Sequence, residues 1–162
     1  MTTPPDTDPI RILFVCMGNI CRSPLAEGVF RHQARHRGVE DRFVIDSAGT
    51  GDWHVGERPD QRMREVADRR GVVVDGQARQ VASDDFARFD HLVCMDEANR
   101  RQLERSGAPD AKLRLLLEAD PSAPMREVPD PYYGGRRGFE TVYDLVDRAC
   151  AALLDELLAG DR

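Results

Sequence analysis

Five residues, Met17 to Cys21, separate Cys16 from Arg22, and Ser23 and Pro24 follow at once. That spacing implies a chemistry. Gly18 and Asn19 are the residue types that best tolerate positive φ, so the segment can close into a tight loop. Ser23-Pro24 reads as a helix start, with serine as N-cap and proline at the first helical position. A loop wrapped over a helix N-terminus turns successive backbone N–H groups toward one point and makes a cradle for an anion. Arg22 adds a planar fork that matches two oxygens of a phosphate. Cys16 opens the loop and faces the same point, where the field that holds a dianion also favours thiolate over thiol. A phosphoryl group held there meets a nucleophile placed for in-line attack. A buried structural cysteine beside a surface arginine would require neither Gly18-Asn19 nor Arg22-Ser23-Pro24.

An ester that leaves as an alkoxide or phenolate needs a proton donor. Asp130, in Asp130-Pro131-Tyr132-Tyr133-Gly134, offers one. A carboxylic acid on a loop can protonate the leaving oxygen and then act as base for water. Read alone, Asp-Pro is a turn signal; beside the Cys16 loop it has a task.

Cysteine, five residues, arginine, then serine or threonine is the signature of cysteine-dependent phosphatases. The fuller string from Val15 to Pro24 resembles one branch of them, the low-molecular-weight protein tyrosine phosphatases. Further matches are Ser47-Ala48-Gly49-Thr50, Asp52 to Gly56, Pro59-Asp60, Ala78-Arg79-Gln80, Cys94-Met95-Asp96 with Asn99, Asp130 to Gly134, and Phe139 to Tyr143. The resemblance implies a protein tyrosine phosphatase that works through a phosphocysteine, with no metal and no cofactor. Cys16, Arg22 and Asp130 would be catalytic. Met17, Gly18, Asn19, Ile20, Cys21 and Ser23 would hold the phosphate. Trp53, Tyr132 and Tyr133 would wall a cleft around the phenyl ring, since aromatic stacking suits an aryl phosphate.

The resemblance also implies that Ser23 hydrogen-bonds the nucleophile. A network of Asn19, Ser23, a serine matching Ser47 and a histidine would brace the loop. The position matching that histidine is Gly76, which has no side chain to offer. Cysteines resembling Cys16 and Cys21 form a protective disulfide in the family. Peroxide would convert the Cys16 thiolate to a sulfenic acid, and Cys21 would condense with it before further oxidation. The implied partner is a tyrosine-phosphorylated protein.

The elements that must position these groups alternate. Ile10 to Val15 is an apolar run of strand length. Leu25, Ala26, Val29, Phe30 and Ala34 recur at helical spacing, with Gly38 as the stop. Strands are expected at Phe43–Ile45, His91–Met95 and Lys112–Leu117. Helices are expected after Pro59-Asp60, after Ser83-Asp84-Asp85 and after Asp96-Glu97. A polar, proline-rich loop runs from Glu118 to about Arg137. The last helix carries Val142, Leu145, Val146, Ala149, Leu153, Leu154 and Leu157 on one stripe. This order predicts an α/β fold, a doubly wound four-stranded parallel sheet with helices on both faces. The phosphate-binding loop follows the first strand, at the strand C-termini where such sheets bind ligands.

The chain has 162 residues, which suits a single domain from residue 10 onward, with residues 1–9 as a flexible polar tail. The formal net charge of −6 does not indicate a nucleic-acid partner. No apolar run approaches the ~18 residues of a membrane span. The N-terminus lacks the basic and apolar regions of a signal peptide, so the expected location is the cytoplasm, with leaderless secretion left open. Cys16, Cys21, Cys94 and Cys150 fit no zinc spacing. His32, His36, His54 and His91 read as surface or packing residues. A monomer is expected. Two other functions fit the Cys16 loop: an arsenate reductase of the same fold, which needs further cysteines to relay a disulfide, and a non-catalytic phosphotyrosine-binding module.

Overall fold

The computed structural model describes residues 8–131 and 135–160. The tail expected at residues 1–9 lies almost wholly outside the described residues. Four strands form one sheet: β1 Ile10–Cys16, β2 Phe43–Gly49, β3 His91–Cys94 and β4 Leu113–Leu115. All three pairings are parallel, in the order β2-β1-β3-β4. The helices are α1 Arg22–His36, α2 Gln61–Arg69, α3 Asp85–Arg88, α4 Glu97–Arg105 and α5 Gly135–Ala159.

The strand order has a consequence for function. The chain leaves β1 for β2 on one side and returns to β3 on the other. The C-terminal ends of β1 and β3 therefore flank a topological switch point. Cys16 ends β1, and Asp96 lies two residues beyond the end of β3.

Alternation along β1 builds two cores. Ile10, Ile12, Phe14 and Cys16 face α1, α2 and α5; Leu13 and Val15 face the layer of α3 and α4. On the first face the rings of Phe14 and Phe30 sit 5.8 Å apart, and Phe43 meets Phe30 edge-on at 5.1 Å. Such contacts add to burial, and Phe30→Ala would cost about 3–5 kcal/mol. The apolar stripe of α5 packs into the same core; Val142, Val146, Ala149, Leu153 and Leu154 are fully buried.

Three local expectations are corrected. First, α1 begins at Arg22, so Ser23 lies in its first turn and does not cap it. The N-cap position is Cys21, without a side-chain cap. Second, β4 is shorter than Lys112–Leu117. The backbone N–H of Leu115 donates to Glu118 Oε1 at 2.8 Å, and a 3-10 turn, Leu116–Ala119, takes over. Third, α3 begins at Asp85 itself rather than after it, and no side chain caps it. There the Asp85 carboxylate accepts from the N–H of Ala82 at 2.8 Å. Elsewhere the helices open where expected: Asp60 accepts from Arg62 and Met63 at the start of α2, and Asp96 forms a capping box with Asn99 at the start of α4.

Candidate active site

Residues 17–21 connect β1 to α1 in five residues, which forces the loop to curl. Asn19 takes φ 58°, the only positive φ at a non-glycine among the described residues. Its side chain is what makes that conformation tolerable, because it is anchored on three sides. Asn19 Oδ1 accepts from the N–H of Arg79 at 3.0 Å, while Nδ2 donates to Ser23 Oγ at 2.8 Å and to Ser47 Oγ at 3.0 Å. The loop is also stitched to the end of β2. Thr50 N–H donates to Cys16 O and Gly51 N–H to Met17 O, both at 2.9 Å. Gly49 permits that approach, since a Cβ there would lie 2.7 Å from Met17 O.

Cys16 is 3% exposed at the bottom of the loop. Its Sγ receives the N–H of Asn19 at 3.2 Å and lies 2.9 Å from Ser23 Oγ. The first brings a donor to the sulfur, and the Ser23 hydroxyl can supply a second. The helix N-terminus of α1 adds its positive end.

Arg22 is buried and aimed by two acceptors. Its Nη1 donates to Asp96 Oδ2 at 2.8 Å and to the carbonyl of Val128 at 3.0 Å. Using Nη1 for both leaves Nε and Nη2 for the oxygens of an anion. Burial opposes the charge, but Cys16, the Asp96 hydrogen bond and Asp130 outweigh it. The guanidinium is thus held above the ordinary arginine value. Asp96 serves twice, since Oδ1 caps α4 through the N–H of Asn99.

The anchor at Val128 places the loop before α5. Val128 N–H donates to Met95 O at 2.9 Å, and two residues later Asp130 reaches the cleft. A cavity of about 380 Å³ is lined by Cys16, Met17, Gly18, Ile20, Cys21, Arg22, His54 and Asp130. A second groove of about 920 Å³ shares Met17, Arg22 and Asp130 and runs between α4 and residues 125–130.

The structure brings Cys16, Arg22 and Asp130 to one cavity from segments over a hundred residues apart. Trp53 is placed differently from expectation. It is 68% exposed, and its ring lies over Gly51 rather than along this cavity. His54 lines the wall instead, with Nδ1 3.0 Å from Glu57 Oε2. It had read as a surface or packing residue. Tyr132 and Tyr133 lie outside the described residues. Cys21 is buried and lines the cavity, and no disulfide joins any of the four cysteines. Among the described residues no group of three or more His, Cys, Asp or Glu could hold a metal. No helix among them is long and apolar enough to cross a membrane.

Gly76, where the resemblance implies a histidine, is exposed with φ 96°. The network does not end there. Ser47 Oγ donates to Glu27 Oε1 at 2.6 Å. Sequence reasoning missed Glu27 and the backbone of Arg79; the one readable signal was the i, i+4 spacing of Ser23 and Glu27 on one helix face.

Residues 11–161 match the family model described as low molecular weight phosphotyrosine protein phosphatase. The low molecular weight phosphotyrosine protein phosphatase of Sus scrofa is 44% identical over 90% of this chain and 94% of its own. The one from Schizosaccharomyces pombe is 45% identical over 87% and 93%. Among solved structures, a protein tyrosine phosphatase from Entamoeba histolytica superposes with a TM-score of 0.89 at 40% identity, covering 93% of this chain and 98% of that one. The loop, the sheet edge and these likenesses agree: the chain belongs to the low molecular weight phosphotyrosine protein phosphatase family.

Proposed function

We propose that this protein hydrolyses phosphotyrosine in proteins through a phosphocysteine at Cys16. The observation that carries the reading is the convergence of Cys16, Arg22 and Asp130 on one cavity. Cys16 attacks phosphorus. The amides of residues 17 to 23 and Arg22 hold the equatorial oxygens as charge builds in the transition state. Asp130 protonates the tyrosyl oxygen, then takes a proton from the water that releases phosphate. The fixed amides and guanidinium supply the positive field. Ile20 and His54 give the leaving group a wall. All these groups belong to one chain, so a monomer suffices. Four cysteines outside any disulfide suit a reducing compartment such as the cytoplasm.

Cys21 gives the site a redox guard. Peroxide oxidises the Cys16 thiolate to a sulfenic acid. The Cys21 thiol displaces water from it, forming a disulfide that a dithiol reductant reopens by exchange.

The arsenate reductase reading would need a third and accessible thiol. Cys94 and Cys150 are both buried, and burial pushes the Cys94 thiol up to about 12 and raises Cys150 as well. Neither suits a relay. A non-catalytic reader would have no use for Asp130 beside Cys16.

The test is hydrolysis of a phosphotyrosine peptide by the wild type and by Cys16→Ser. Turnover by the wild type, with none by Cys16→Ser but retained vanadate binding, supports the reading. Wild-type-like turnover in Cys16→Ser sinks it.

A further inference from the structure

We propose that Glu27 is a positioning residue for the nucleophile, acting through Ser47, Asn19 and Ser23. The proposal deepens the phosphatase reading and rests on it for its purpose. Its geometry stands apart from any substrate.

Four contacts link the Glu27 carboxylate to Cys16 Sγ. Ser47 Oγ donates to Glu27 Oε1 at 2.6 Å; Asn19 Nδ2 donates to Ser47 Oγ at 3.0 Å and to Ser23 Oγ at 2.8 Å; Ser23 Oγ lies 2.9 Å from Cys16 Sγ. Donor and acceptor roles along this chain are not free. A carboxylate only accepts, so Ser47 must spend its single proton on Glu27. The lone pairs of Ser47 then face Asn19, which must present N–H. The N–H of Arg79 on Asn19 Oδ1 requires the same amide orientation. The Asn19 amide therefore donates to Ser23 as well. Ser23, already an acceptor, is left with its own proton to direct at sulfur.

The chain thus has a fixed polarity: donors run outward from the Asn19 amide, through Ser23 to the sulfur and through Ser47 to the Glu27 carboxylate. Hydrogen bonds in series strengthen one another, and a half-satisfied series is worse than none. Without Glu27 the Ser47 proton would lose its acceptor, and the Ser47 lone pairs would no longer be committed to Asn19. Glu27 is itself held in place. Its Oε2 pairs with Arg31 Nη2 at 2.9 Å, and Arg31 donates onward to the carbonyl of Ile45. Arg31, His32, Arg35, Asp75 and Gly76 line, with Glu27, a cavity of about 460 Å³ separate from the cleft. Gly76 contributes no side chain to that space, so the carboxylate meets Ser47 directly.

Positioning and simple electrostatics predict opposite signs, which makes the assignment testable. Removing an anion near Cys16 would, by relief of Coulomb repulsion alone, make the thiolate more abundant. Removing a positioning residue makes it scarcer, because Ser23 is released. The measurement is the rate at which iodoacetamide alkylates Cys16 at neutral pH, where the thiolate displaces iodide. We expect Glu27→Ala, which leaves Ser47 without its acceptor, to slow alkylation about three- to tenfold, the range of one hydrogen bond. The kcat for an aryl phosphate should fall alike, while inhibition by inorganic phosphate stays within about twofold. Ser47→Ala should have a similar effect, and adding Glu27→Ala to it should change little more. Glu27→Gln, whose amide oxygen still accepts from Ser47, should keep most of the wild-type rate. Unchanged or faster alkylation in Glu27→Ala, or independent effects of Glu27 and Ser47, would overturn the assignment. Alkylation needs no substrate, so it decides the role of Glu27 even if the phosphotyrosine reading fails.

Discussion

Asp130 and Cys16 reach one cavity from opposite ends of the chain, and their roles separate by leaving group. Asp130→Ala should slow phenyl phosphate or phosphotyrosine about 10²–10⁴-fold, the usual worth of a general acid. A nitrophenyl ester, whose leaving group needs little protonation, should slow far less. Equal slowing in steady-state assays would make Asp130 structural. Cys21 is tested by oxidation. Cys21→Ser should keep most of its activity yet fail to recover when peroxide is followed by dithiothreitol. Equal recovery, with no Cys16–Cys21 disulfide by mass spectrometry, would return Cys21 to packing. The residues legible in the sequence were those whose chemistry demands a particular type at fixed spacing: Cys16, Arg22, Asn19, Ser23. His54, Asp96 and Glu27 were not legible as site residues. Each matters through a neighbour tens of residues away, and local spacing carries no trace of that.

At the scale of elements, the periodicities found nearly every helix and strand but misplaced some ends. Ser23-Pro24 has the composition of a cap. Its hydroxyl is nonetheless engaged by Asn19 and Cys16, and the helix starts at Arg22, two residues before Pro24. Lys112 to Leu117 is uniformly strand-like, yet the Glu118 side chain claims the N–H of Leu115 and ends the ladder. The turn at Gly76 gives a prediction. Nothing lies within 4 Å of a Cβ built there, so space is not the obstacle to Gly76→His. Its φ of 96° is, and a left-handed non-glycine costs about 1–2 kcal/mol. With Glu27 already holding Ser47, the variant should melt at lower temperature and gain no activity. A rise in both melting temperature and kcat would show that the brace is incomplete without a side chain at this position.

The whole molecule is a sheet whose order, β2-β1-β3-β4, puts the Cys16 loop and the Asp96 cap side by side. The alternation of strand and helix made that architecture readable, because parallel strands need crossovers and crossovers need two covered faces. The far face depends on one buried charge. Asp85 is 1% exposed; burial opposes its ionisation, but Arg79 and the N–H of Ala82 outweigh it and hold the carboxyl below the usual range. A depressed folded value stabilises above the unfolded value of about 3.9 and is lost as pH falls through the folded one. Urea midpoints should therefore fall more steeply between about pH 5 and 2 in the wild type than in Asp85→Asn, which should be less stable at neutral pH by about 1–3 kcal/mol. Parallel curves would mean that Asp85 contributes nothing through its charge. The central claim is that the phosphoryl group passes through Cys16, and the most direct measurement is mass spectrometry of enzyme quenched during turnover of an aryl phosphate. The Asp130→Ala variant, with its slowed release of phosphate, should carry a phosphoryl adduct on the peptide containing Cys16, and Cys16→Ser should carry none. An adduct on another residue, or steady turnover with no adduct in any variant, would contradict the mechanism.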